Sequence, residues 1–175
     1  MNIKNIIIRQ ENKKDYNNIY NLVKKSFKTA PLSDGKEHIL VNSLRDSKAY
    51  IPKLSLVAEY NKEIVGYIMF TKVGLGNKNA LALAPLAVAP GYQNLGIGKS
   101  LIEEGHKLAI ELNYEYCLVL GSENYYPKFG YIPASKLGIK SPFNVPDENF
   151  MVVDFLKQNI KINETVKYPK EFFEL

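Results

Sequence analysis

The sequence predicts an α+β fold of three layers, in which helices cover both faces of a mixed, mostly antiparallel central sheet. Apolar residues recur with helical spacing in three stretches, at 12–27, 34–47 and 97–112. Runs rich in β-branched and aromatic residues lie between them, and the turn Asn61-Lys62 joins two of these runs as a hairpin. The predicted order of elements is β-α-α-β-β-β-α-β-α-β-β.

The length of 175 residues and a hydrophobic content of 46% fit a single domain over residues 1–175 with a substantial core. The longest apolar run, 81–90, is far shorter than the ~18–20 residues that span a bilayer. The single cysteine, Cys117, and the two histidines, His38 and His106, exclude a disulfide framework and a zinc site. We therefore expect a cytoplasmic protein with no metal and no membrane partner.

The net charge of +5 comes from lysines that are scattered singly along the chain, since Arg9 and Arg45 are the only arginines. Base readout and phosphate clamping both favour arginine over lysine. The charge therefore predicts a solvated lysine surface rather than a nucleic-acid partner. It would still attract a polyanionic cofactor.

The first elements are a strand at 3–10 and two helices. The apolar stripe of the first helix consists of Tyr16, Ile19, Tyr20, Leu22, Val23 and Phe27. Leu40, Val41 and Leu44 share one face of the second helix. Proline and glycine in the stretch KTAPLSDG indicate a loop between the two helices.

Three strands follow, at 54–60, 64–73 and 80–90. Their links are too short for a parallel crossover, so the three strands form an antiparallel meander. Pro85 lies inside the third strand and has no N–H for the ladder. It predicts a bulge or a splaying of the sheet near this position.

The run 114–121 returns to the sheet as a buried strand after the helix at 97–112. Such a strand-helix-strand unit is a right-handed crossover, so 114–121 is predicted to run parallel to 80–90. The stretch 122–133 predicts a short helical turn and a strand start, and 149–156 predicts the last strand. Behind a Tyr168-Pro169 turn, Phe172 and Phe173 are expected to dock on the protein.

Two reactive residue types lie within these elements. Cys117 is interpreted as a small buried apolar residue, because neither histidine is placed to activate it. His106 stands among Glu103, Glu104 and Lys107 and is interpreted as a surface residue of its helix.

The stretch APGYQNLGIGKSLIEEG, residues 89–105, is a glycine turn that opens a helix. It fails the P-loop pattern because Gln93 stands where the first glycine should be, and it fails the dinucleotide pattern because Leu101 replaces the last glycine. The pattern that fits is Q-x-x-G-x-G, at Gln93, Gly96 and Gly98. The first N–H groups of a helix lack acceptors, and glycine lets a pyrophosphate approach them.

This combination resembles the acetyl-CoA site of the GNAT superfamily of N-acetyltransferases. The resemblance covers most of the chain: the strand order, the block LAVAPGYQNLGIGKSLIEEG, and YYPKFGY at 125–131, which is similar to the tyrosine stretch of those enzymes. The short loop before YYP and the tail VKYPKEF resemble the YhbS-like branch. The resemblance implies transfer of an acetyl group from acetyl-CoA to a primary amine, by direct attack in a ternary complex.

The resemblance also implies the site residues. The cofactor diphosphate would bind the backbone from Asn94 to Ser100 with help from the Gln93 side chain, so that these binding residues are Gln93, Asn94, Leu95, Gly96, Ile97, Gly98, Lys99 and Ser100. Gly91 is expected to be only part of the turn. The pantetheine arm would lie along Leu86, Ala87 and Val88, where a backbone N–H is the natural donor to the oxyanion.

Tyr126 aligns with the tyrosine that the family often uses to protonate the leaving thiolate, and Tyr125 is the alternative because the two are adjacent. A phenol with a pKa near ~10 and a thiol near ~8.5 favour a strong hydrogen bond with late proton transfer. The strand 80–90 carries no carboxylate, so the general base stays open between Glu37, Glu59 and a water chain.

Other functions remain to be separated from this one. A non-catalytic CoA-binding module with a sensory or regulatory role would share the same cofactor residues, whereas a nucleotide hydrolase is weakened by Gln93. The acceptor is a small-molecule or protein amine that the loops and helices at 28–45 do not specify. The formation of a homodimer is left open.

Overall fold

A seven-stranded sheet forms the centre of the computed structural model, which describes residues 5–28 and 33–174. The strands are β1 (Ile7–Gln10), β2 (Tyr50–Tyr60), β3 (Glu63–Leu75), β4 (Lys78–Val88), β5 (Tyr116–Leu120), β6 (Ile132–Pro133) and β7 (Phe150–Asp154). Their spatial order is β1-β2-β3-β4-β5-β7-β6. Neighbouring strands are antiparallel except β4 and β5, which are parallel.

Three α-helices cover the two faces of this sheet within the described residues. They are α1 (Tyr16–Phe27), α2 (Glu37–Arg45) and α3 (Ile97–Glu111). The apolar stripes of α1 and α2 share one cluster on one face, and α3 buries Leu101 and Ile102 in the cluster on the opposite face. The helical turn predicted after β5 is a 3₁₀ helix, Tyr126–Phe129. The predicted fold class is confirmed.

The ladder between β4 and β5 stops halfway along β4. The two strands pair from Ala80 with Tyr116 to Leu83 with Val119, and no further. Beyond Leu83 comes a cis Ala84–Pro85 bond, and β4 then continues beside β3 as far as Val88. The splaying that Pro85 predicts is confirmed, because the strand resumes its pairing with β3 but not with β5.

Both arginines form ion pairs with carboxylates of the protein itself. Arg45 is paired with Glu11 at 2.7 Å, with side chains that are only 5% and 1% exposed, and Tyr50 donates its hydroxyl to the same carboxylate at 2.7 Å. Arg9 binds Asp15 and Glu59, and its hydrogen bond to Asp15 lowers the pKa of that carboxyl. These pairs tie β1, β2 and both helices of this face together.

His106 is not a surface residue, so that expectation is wrong. Its Nε2 lies 2.9 Å from the Tyr131 hydroxyl, and its ring packs against Phe70 and Phe155. Burial lowers its pKa to about 4, so the ring is neutral near pH 7. The physical reason is helical geometry: position 106 lies one turn after buried Ile102 and on the same face.

Cys117 is fully buried in β5, as expected, and burial raises the pKa of its thiol to about 12. A thiol of this kind is almost entirely protonated at neutral pH and is a poor nucleophile. The interpretation of Cys117 as a structural apolar residue is confirmed.

The C-terminal tail docks through Phe172 as predicted, whereas Phe173 is more exposed than predicted. Lys167 forms a two-hydrogen-bond bridge with Gly74 at the end of β3, each bond being 2.8 Å. Phe172 packs beside the cluster under α1 and α2. Phe173 stacks on Phe143 but stays 56% exposed.

Candidate active site

The end of β4 borders the gap that opens where β4 leaves β5. Val88 is opposite Gly66 of β3, and the Ala89 N–H donates to the Val65 carbonyl at 2.9 Å. Because antiparallel pairs alternate, Leu86 and Val88 direct their N–H and C=O groups toward the gap, while those of Ala87 point to β3. The predicted arm-binding strand therefore presents the backbone of positions 86 and 88 to the gap.

The Val88 carbonyl is already occupied by two donors. It accepts hydrogen bonds from the Ser26 hydroxyl of α1 at 3.1 Å and from Gln93 Nε2 at 3.2 Å. Gln93 thus holds the glycine turn to β4 and keeps one amide N–H for a ligand. Ser26 was missed by the sequence analysis, since a serine in the last turn of a helix carries no distinctive pattern. In the described part of the chain, the N–H groups of Leu86 and Val88 make no hydrogen bond and are the free backbone donors at this edge.

The turn between β4 and α3 exposes a run of backbone donors. Asn94 and Gly96 adopt left-handed conformations with φ of 60° and 84°, and Gly96 is the N-cap of α3, which therefore has no side-chain cap. Within the described residues, the N–H groups of positions 93–99 make no hydrogen bond. Ser100 donates to the Gly96 carbonyl at 3.0 Å, which is the first helical bond. The free donors therefore end at Lys99, one residue earlier than predicted.

The tyrosine stretch lies beside this turn. A Cβ added at Gly98 would lie 2.8 Å from the Tyr125 hydroxyl. The Tyr126 ring instead packs against Gly121 at the end of β5 and meets the Tyr131 ring edge-on at 5.6 Å. Burial raises the pKa of both Tyr125 and Tyr126 above the usual value of a phenol. Both hydroxyls therefore keep their protons near neutral pH and are able to donate.

Glu37 and Glu59, the two carboxylates that the sequence offers as a general base, differ in their surroundings. Glu59 is bound by Arg9, with the closest atoms 2.8 Å apart. One oxygen of Glu37, at the start of α2, accepts a hydrogen bond from Ser33 at 2.5 Å, whereas Oε2 is buried without a partner. The adjacent His38 has a buried, unpartnered Nδ1, and burial lowers the pKa of its ring. Glu37 is thus the carboxylate with an unused acceptor.

Two further findings concern metal ions and membranes. In the stretches 5–28 and 33–174, no group of three or more His, Cys, Asp or Glu side chains is arranged to hold a metal ion. Across the same stretches, none of the helices combines the length and the apolar character that a membrane span requires.

Gly96 and Gly91 form a matched pair for testing the turn. Gly96→Ala is expected to lower the free energy of unfolding by about 1–2 kcal/mol, since a left-handed backbone disfavours a Cβ. Gly91 has no positive φ and open space around it, so Gly91→Ala should stay within about 0.5 kcal/mol. Urea unfolding of both variants measures the difference. Equal effects would contradict the special role of Gly96.

The comparisons with known proteins agree on one family. The family model described as "Acetyltransferase (GNAT) family" matches residues 16–131. In Escherichia coli K12, the uncharacterized N-acetyltransferase YjhQ is 37% identical over 119 residues, which are 65% of this chain and 66% of YjhQ. The uncharacterized N-acetyltransferase YhbS of the same strain is 31% identical over 129 residues, which are 72% of this chain and 73% of YhbS.

Solved structures share the same fold. The crystal structure of YhbS from E. coli in complex with CoA superposes with a TM-score of 0.88 and 24% identity, covering 98% of this chain and 93% of that one. A GNAT family acetyltransferase from Brucella melitensis in complex with acetyl-CoA gives a TM-score of 0.78 and 28% identity, covering 95% and 97%. The chain therefore belongs to the acetyltransferase (GNAT) family of acyltransferases, in its YhbS-like branch.

Proposed function

We propose that the protein transfers the acetyl group of acetyl-CoA to a primary amine, by direct attack within a ternary complex in the cytoplasm. One observation carries this proposal: the gap between β4 and β5 is bordered by the free N–H groups of residues 93–99 at the start of α3. A diphosphate fits such a set of donors, because the helix dipole and the unpaired N–H groups both favour an anion.

The residues at the gap fit a long, polar cofactor. The diphosphate would bind the N–H groups of Asn94, Leu95, Gly96, Ile97, Gly98 and Lys99, with the remaining amide N–H of Gln93. The Lys99 side chain is exposed and forms only a long, solvent-exposed ion pair with Glu103 at 3.8 Å, a weak contact that it would give up to face the outer phosphates. The pantetheine arm would extend along the gap-facing backbone of Leu86 and Val88, past Ala87. When bound, acetyl-CoA supplies the thioester.

The backbone N–H of Leu86 or Val88 is the proposed donor to the thioester oxygen. Negative charge develops on that oxygen when an amine attacks the carbonyl carbon. A fixed backbone N–H stabilises this charge without having to reorganise.

Tyr126 is the proposed donor to the departing thiolate. Burial raises its pKa, which keeps the proton on the phenol until the thiolate forms beside it. Cys117 takes no part, since its buried thiol is not ionised. The reaction then needs no acyl-enzyme, and both substrates are present together.

Glu37 is the carboxylate that we propose for accepting the proton of the attacking amine. It combines a buried, unpartnered oxygen with a location at the start of α2, after the connection that follows α1. The neighbouring helix α1 touches the gap through the hydrogen bond from Ser26 to Val88. Glu59 is a weaker candidate because Arg9 already neutralises it.

The test is a turnover screen that follows the release of free thiol from acetyl-CoA. The amine panel contains diamines, free amino acids, aminoglycosides and short peptides with a free N-terminus. We expect amine-dependent thiol release with at least one class. Thermal stabilisation by CoA without release for any amine would favour a non-catalytic binding module. Stabilisation by ATP but not by CoA would overturn the cofactor assignment.

A further inference from the structure

The Tyr125 hydroxyl occupies space that only a glycine at position 98 leaves free. A Cβ at Gly98 would lie 2.8 Å from this hydroxyl, 3.7 Å from Val88 Cγ2 and 3.8 Å from Leu86 Cδ2. Gly98 does not adopt a positive φ, in contrast to Gly96. The backbone conformation at 98 is therefore open to any residue, and the close approach of Tyr125 is what requires glycine.

The position of the Tyr125 ring is fixed by its neighbours, but its hydroxyl is unused. The ring meets Tyr126 and Phe129 edge-on, each at 5.3 Å between centroids, and Lys128 Nζ lies 5.7 Å from its centre. The hydroxyl makes no hydrogen bond with any residue in the described part of the chain. It thus lies, half-buried, against the first turn of α3 at Gly98, the turn whose N–H groups make no hydrogen bond.

The adjacent Tyr126 faces different partners. Its ring fills the space over Gly121 and packs against Tyr131, on the side of β5. The two neighbouring phenols therefore contact different elements: Tyr125 contacts the start of α3, and Tyr126 contacts the end of β5. Their different surroundings allow the two hydroxyls to have different roles.

We propose that Tyr125 is a cofactor-binding residue whose hydroxyl donates a hydrogen bond to a phosphate oxygen held by the first turn of α3, and that Gly98 is glycine to admit this hydroxyl. The proposal rests on the proposed function only in taking CoA as the ligand. A contact of this kind is made equally before and during acetyl transfer. It therefore strengthens binding without changing the rate of the chemical step.

The first experiment needs neither ligand nor turnover. Gly98→Ala is expected to lower the Tm of the wild-type protein because the methyl group meets the Tyr125 hydroxyl. In the Tyr125→Phe background the hydroxyl is gone, so the same change should raise the Tm by a few degrees, as a glycine-to-alanine change in a helix usually does. An equal Tm change in both backgrounds would overturn the juxtaposition.

The second experiment measures ligand affinity directly by calorimetry. Tyr125→Phe is expected to weaken CoA binding about 10–100-fold, the typical effect of losing one hydrogen bond to a charged group, and to leave pantetheine binding unchanged because pantetheine lacks the diphosphate. Tyr114→Phe, at the other end of α3, is the matched control and should bind both ligands as the wild type does.

Each other outcome is decisive. Wild-type affinity of Tyr125→Phe for CoA would overturn the proposal. An equal loss for CoA and pantetheine would also overturn it, by moving the contact to the arm. If wild-type protein fails to bind CoA at all, the proposed function fails as well, while the Tm experiment still reports on Tyr125 and Gly98. If the wild-type protein binds CoA but transfers an acetyl group to no amine, the proposed reaction fails, while the CoA affinity of Tyr125→Phe still decides this proposal.

Discussion

Tyr126→Phe is expected to lower kcat about 100-fold and to leave the affinity for acetyl-CoA unchanged. A positioned acid typically contributes a factor of 10² to 10⁴, and a buried phenol with a raised pKa gives the lower end of that range. The substitution keeps the ring that packs on Gly121 and Tyr131, so the loss should come from the hydroxyl alone. Steady-state kinetics with acetyl-CoA and calorimetry with CoA measure the two quantities.

The control for this prediction is Tyr114→Phe. Tyr114 lies outside the YYPKFGY stretch and packs against the cluster that contains Leu101 and Ile102 of α3. The kcat of this variant should stay within about twofold of wild type, as is usual for a substitution away from the reacting atoms. A normal kcat in Tyr126→Phe would remove Tyr126 from the mechanism. A loss in CoA affinity rather than in kcat would make it a binding residue instead.

Arg45→Met is expected to lower the free energy of unfolding by about 3–5 kcal/mol, because it leaves the Glu11 carboxylate buried without its counter-ion. Glu11 is 1% exposed in its side chain and, of the partners among residues 5–28 and 33–174, would keep only the Tyr50 hydroxyl as a side-chain partner. Urea unfolding at neutral pH measures the loss. A second change, Glu11→Gln, removes the stranded charge but keeps an acceptor for Tyr50, so the double variant should recover most of the stability.

An exposed ion pair provides the comparison. Lys107 lies 3.6 Å from Glu104, with side chains that are 64% and 37% exposed. Lys107→Met should therefore change the stability by no more than about 1 kcal/mol. If Arg45→Met costs no more than Lys107→Met, or if the double variant is as unstable as the single one, burial is not the source of the effect.

The order of the elements and the splaying of the sheet were predictable from the sequence because both depend on local chemistry. Apolar periodicity identifies α1, α2 and α3 without any knowledge of their partners. Pro85 interrupts a ladder wherever it stands in a strand, since it has no N–H to donate. The glycine turn was likewise predictable, because a helix start with free N–H groups is a local feature.

The finer features of the site depend on contacts between distant parts of the chain. The choice of Leu86 and Val88 over Ala87 follows from the register with β3, which shifts between Ile68 and Phe70. The opposite directions of Tyr125 and Tyr126 follow from the spaces over Gly98 and Gly121, which are apparent only in three dimensions.

The expectation that His106 is exposed was wrong for a related reason. Its charged sequence neighbours predicted exposure, but the Tyr131 hydroxyl and the Phe70 and Phe155 rings surround the imidazole. All three groups come from β3 or from the chain after β5, and the apolar periodicity of α3 gives no information on where those segments lie.

The separation of β4 from β5 brings the end of β4 into contact with both helical layers. The side chains of Leu86 and Val88 pack with the cluster on the α3 face, and Ala87 belongs to the cluster under α1 and α2 on the other face. An opening between strands in a sheet with helices on both sides leads to both layers at once. In the proposed reaction, acetyl-CoA and an amine that approach from opposite layers would not share a path, so each would arrive and leave without displacing the other.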